Sequence, residues 1–173
     1  MRKNRIITPI VASAALLVLG AGPAMAQATD ATFTITGGSL AITAPVGSVP
    51  LGTVAASPGT QDVGANLGNV TVTDGRGGVA GWVASVISTA FTPPAGPAVT
   101  AAAVDYTTPA ATVTGTSTVT NLNANGPIGV KPVQTATGVS GANTATWNPN
   151  VTVHVPAGMV TGVYTATITH SIV

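Results

Sequence analysis

Asp30, Asp62, Asp74 and Asp105 are the carboxylic acids of this chain, and His154 and His170 are its imidazoles; glutamate and cysteine are absent. Glycoside hydrolysis needs two carboxyl groups about 5 to 9.5 Å apart across a cleft. Asp30 lies close to the expected start of the exported chain and Asp74 sits in an Asp-Gly turn. Asp62 and Asp105 stand apart in sequence, although folding can still pair them. A hairpin through Pro156 to Thr161 is expected to join the strands that carry the histidines, with Val155 opposite Val163. His154 then faces Tyr164, six residues from His170. At ~3.3 Å per strand residue that separates the rings by roughly 20 Å, too far to share one ion. No serine has the glycine pattern of a nucleophile elbow. The expectation is a protein without catalytic activity, metal or cofactor.

The segment Val70 to Trp82 offers binding rather than reactive chemistry. A Val-Thr strand ends in Asp74-Gly75, and a second strand opens on Trp82. Asp74 and Arg76 could form a polar rim, and Trp82 a flat apolar platform of the kind that sugar rings or peptides stack on. Trp147, the second tryptophan, completes the candidate binding set of Asp74, Arg76, Trp82 and Trp147. A structural role for the same residues is favoured: Asp74 capping the turn, Arg76 pairing with it, and Trp82 anchoring a core.

Charge narrows the partners. Arg2, Lys3 and Arg5 precede an apolar run from Ile10 to Gly20 and the small-x-small triplet Ala24-Met25-Ala26, the pattern of a cleaved secretory leader. The expected domain plan is therefore a signal peptide over 1–26 and one domain over 27–173, with no transmembrane segment in the mature chain. Beyond the leader, Arg76 and Lys131 are the only basic residues, too few and too far apart for nucleic acid. Gly75-Arg76-Gly77-Gly78 lies between two strands and opens no helix, so it is not a phosphate-cradling loop.

Positioning falls to short strands. Period-two alternation recurs through the mature chain and helical periodicity does not. Strands are expected at 32–36, 39–43, 51–55, 69–74, 81–88, 99–106, 112–120, 145–147, 151–155 and 162–172, divided by Gly, Pro, Asn and Asp clusters. The fold class that follows is all-β, an antiparallel immunoglobulin-like β-sandwich of about 8–10 strands. Residues 92–97 and 121–142 are expected to be irregular and mobile. Thr-x-Thr runs place hydroxyls on one strand face. Ice binding would need a stacked repeat of constant length, which is absent, so these threonines are assigned to the solvated side of half-buried strands.

The segments Leu51 to Val54, Val70 to Trp82 and Trp147 to Ile172 together resemble the WxL-domain proteins of Gram-positive cell surfaces. The likeness covers about 32–173. Trp82-Val83-Ala84 keeps the tryptophan of the first signature triplet with Ala in place of Leu, and His170-Ser171-Ile172 stands where the second triplet falls. The resemblance implies a secreted, non-catalytic β-sandwich at the cell surface, held non-covalently on the cell wall. Its implied partners are peptidoglycan and other surface proteins. A second expectation is a structural subunit that assembles with itself or with other surface proteins through exposed strand edges.

Overall fold

Val-Thr alternation folds into strands because each strand buries its valines and leaves its threonines in water. The computed structural model describes residues 27–125 and 129–173, so the expected leader lies outside the described residues. The chain divides into a unit ending at Thr34 and a unit from Ile35 to Val173. Residues 27–34 have no regular secondary structure and are exposed.

The second unit holds ten strands among the described residues: β1 (Leu40–Thr43), β2 (Gln61–Asn66), β3 (Val70–Asp74), β4 (Trp82–Ser88), β5 (Val104–Thr107), β6 (Thr112–Asn121), β7 (Ala124–Asn125), β8 (Lys131–Trp147), β9 (Asn150–Val155) and β10 (Ile168–Ile172). They form two antiparallel sheets, one of β1, β3, β8, β4, β10 and β6, the other in the order β2-β9-β5-β7. The all-β sandwich class is what the structure shows. No helix among the described residues is long and apolar enough to cross a membrane.

Strand β8 is the spine of the larger sheet. Along one edge it pairs with β6, from Thr112↔Thr146 to Asn121↔Gln134. Along the other it pairs with β3 and then β4 in series, Val70↔Trp147 to Asp74↔Asn143 and Trp82↔Ala136 to Val86↔Lys131. β1 and β10 lie outside β3 and β4 respectively. The β6 ladder shifts register around Gly115, whose φ of +88° and close approach to the Ala142 carbonyl leave no room for a side chain. Between the sheets lie Val70, Val72, Trp82, Ala84 and Val86 from β3 and β4. Tyr106, Val151, Val153 and Trp147 meet them there.

Several expectations fail for identifiable reasons. Residues 32–36 alternate but form no strand, since no partner pairs with them among the described residues. Residues 51–55 are irregular, interrupted by Gly52 at φ +124°. The span 121–142, expected to be irregular, supplies most of β8, because neighbours on both edges outweigh the weak strand propensity of its Gly, Ser and Asn. β9 and β10 are not a hairpin: β9 lies between β2 and β5 in one sheet while β10 pairs with β4 in the other. β2 and β7 were not anticipated in the pattern.

Candidate functional site

Of the candidate contact residues, Asp74, Trp82 and Trp147 are buried and Arg76 is half-buried. Arg76 grips Asp74 through two parallel bonds, Nε to Oδ1 and Nη2 to Oδ2, each 2.9 Å. The Arg76 backbone N–H also donates to Asp74 Oδ1. Arg76 Nη2 donates further to the Ala80 and Gly81 carbonyls at 3.0 Å, fastening the loop between β3 and β4. These Arg76 bonds hold the Asp74 carboxyl below its ordinary range against the opposing effect of burial. Trp82 and Trp147 are each only 2% exposed, so neither indole offers a face to a ligand. The Trp82 N–H points at Asn143 Oδ1 at 3.5 Å, and that of Trp147 is buried with no acceptor in hydrogen-bonding geometry among the described residues.

Folding does bring Asp62 and Asp105 together, with His154 between them on the outer face of the smaller sheet. His154 Nδ1 lies 2.7 Å from Asp62 Oδ1, and Nε2 lies 2.9 Å from Asp105 Oδ2. Both ring nitrogens donate only in the imidazolium form, and the bonds to Asp105 and then Asp62 raise the His154 pKa above 6.5. With both nitrogens engaged by carboxylates, neither is left to accept a proton from a nucleophile. The two acids sit on opposite sides of the ring and do not converge on one point, and no metal-holding cluster occurs among the described residues. The sequence separations of 92 and 49 residues carried no signal of this clasp.

His170 behaves oppositely. It points inward from β10, and Tyr106 across the core lies 2.7 Å from its Nε2, the two sharing one hydrogen bond. Burial lowers the His170 pKa and raises that of Tyr106. The linkage signs follow. The His154 clasp contributes fully below about pH 6.5 and fades as pH rises through its raised pKa. His170, kept neutral, loses stability for the fold as pH falls below about 6.5. Thermal melts of parent, His154→Gln and His170→Gln proteins from about pH 5 to 9 check this. The His154→Gln deficit should be largest at the acid end, under about 1 kcal/mol because the clasp is exposed. His170→Gln should flatten the decline below pH 6.5. A deficit for His154→Gln that grows with pH contradicts the assignment.

Two surface features remain. One is a lattice of threonines on the outer face of the larger sheet. Register aligns Thr43, Thr71, Thr146 and Thr112 in one row across β1, β3, β8 and β6. Thr73, Thr144 and Thr114 form a second row. Neighbours within a row are ~4.8 Å apart and the rows ~6.6 Å apart. Thr71 and Thr146 hydroxyls bond each other at 3.0 Å. The regularity comes from strand register rather than from a sequence repeat. The other feature is a cleft of about 680 Å³ between the sheets with a mixed lining, apolar at Leu51, Val63, Phe91 and Ile168 and polar at Gln61 and His170 among others. The Thr-x-Thr runs had placed hydroxyls on the solvated face of single strands, but the sequence pattern indicated neither their alignment across strands nor the cleft.

Comparison with protein-family models, with curated proteins and with solved structures finds no match to this chain.

Proposed function

We propose that this is a secreted, non-catalytic surface protein that associates non-covalently with the cell wall, peptidoglycan being the polymer. The observation that carries the proposal is the uncharged threonine lattice across β1, β3, β8 and β6. A sugar polymer presents hydroxyls and amides at regular intervals, and a grid of hydroxyls can exchange hydrogen bonds with several of them at once. Each such bond contributes only about 0.5–1.5 kcal/mol net, so attachment comes from repetition along the polymer. The expected WxL-like wall association is thus moved from Trp82, Trp147 and the Asp74 turn to an exposed face. Isolated cell-wall sacculi should sediment the exported protein, and Thr73→Val with Thr114→Val should lower the bound fraction severalfold at unchanged melting temperature. Protein left wholly in the supernatant overturns the proposal.

A second reading, a structural subunit that assembles through strand edges, is favoured by the open edges themselves. β6 ends the larger sheet with a ten-residue strand free of charge and proline. β10 ends another row of that sheet. Such edges are templates for a further strand unless something blunts them.

A further inference from the structure

Thr32-Phe33-Thr34-Ile35-Thr36 alternates as strongly as any strand in the chain, yet it belongs to none among the described residues. Phe33 and Ile35 are 85% and 82% exposed. Two apolar side chains spaced for one strand face, flanked by β-favouring threonines, are suited to a sheet that this copy does not provide. Gly37 and Gly38 anchor the start of the body, packed on the backbone of Arg76 and Gly75, where an added Cβ meets carbonyl oxygens.

The inter-sheet cleft lies beside a sheet edge, that of β10. The paired backbone bonds between Val173 and Val83 set the phase of the β10–β4 ladder. By alternation, Ile168 and His170 turn their own N–H and C=O groups to the outer edge. Their side chains point into the cleft, which Val63 and Val155 of the opposite sheet also line. Val160 and Val163 stand exposed at its rim. An open backbone edge beside a cleft with apolar side chains in its lining is the arrangement used in strand addition, where main-chain bonds hold the guest and alternate side chains fill pockets. No Lys, Arg, Asp or Glu occurs in β10 or in 31–36 to oppose the pairing.

We propose that residues 32–36 of one copy add as a strand to the free edge of β10 in a second copy, seating Phe33 and Ile35 in that copy's cleft. The inference rests on the assembly reading above and names its contact. Arm and cleft are different surfaces, so the contact is heterologous and propagates from copy to copy unless its rotation closes a ring.

Sedimentation velocity of the exported protein over a wide concentration range, without wall polymer, tests it. The parent should form concentration-dependent oligomers. Phe33→Asp with Ile35→Asp should weaken association on the order of a hundredfold with the melting temperature of the monomer unchanged, since both residues are exposed. Val163→Asp at the rim should weaken it too, and mixing the arm variant with the rim variant should give heterodimers and no longer chains. Oligomers undiminished in the arm variant overturn the arm contact and leave assembly to another edge such as β6. A parent that stays monomeric at every concentration overturns the arm contact and the assembly reading together.

Discussion

Trp82→Ala is expected to cost about 3–5 kcal/mol of folding stability, as truncation of a large buried aromatic does. The indole is 2% exposed and packs with Val70, Val72, Ala84 and Val86 in the inter-sheet core. A domain of ordinary stability has only about 5–15 kcal/mol in total, so the variant should be partly unfolded near its working temperature. Trp147→Ala should behave alike, for it is equally buried and sits at the end of β8 opposite Val70. Urea titration followed by circular dichroism measures the loss. Normal stability together with diminished wall binding would return the tryptophan to the role of an exposed platform.

The second large effect is expected at Asp74. Asp74→Ala removes the acceptor of two side-chain bonds and one backbone bond from Arg76, and so releases the loop between β3 and β4. The loss should be about 2–3 kcal/mol, below the usual figure for a broken buried pair, because Arg76 is 32% exposed and its guanidinium recovers water. The pH dependence has a definite sign. The folded pKa of Asp74 lies below 3.8, so its contribution is complete above that value and disappears as pH falls through the folded pKa. Asp74→Asn should therefore lower stability at pH 7 and shallow the acid limb of unfolding. Equal acid sensitivity in parent and Asp74→Asn proteins would show that this carboxylate is not the one titrating.

Local pattern made the strand-rich class legible, as Val70 to Asp74 and Val151 to Val155 illustrate, because alternation is written within five or six residues. It misled wherever partners decide. Residues 32–36 alternate without a partner, whereas Lys131 to Ala142, rich in Gly, Ser and Thr, forms a strand because β4 and β6 enclose it. The Asp62–His154–Asp105 clasp and the alignment of threonines from strand to strand were illegible for the same reason: each is a property of register between strands far apart in sequence. Asp74 and Arg76 could be paired in advance only because a single residue, Gly75, separates them.

The position of β8 in the chain also sets when the larger sheet can close. Every strand that pairs with this spine precedes it, and the Thr71–Thr146 contact spans 75 residues. During synthesis, β1, β3, β4 and β6 therefore emerge without the strand that joins them. Closure waits for the last quarter of the chain, and distant pairings of this kind form slowly. A polypeptide with such an order of assembly carries unpaired strand edges until late in its synthesis, the condition in which transient exposure to other chains is longest.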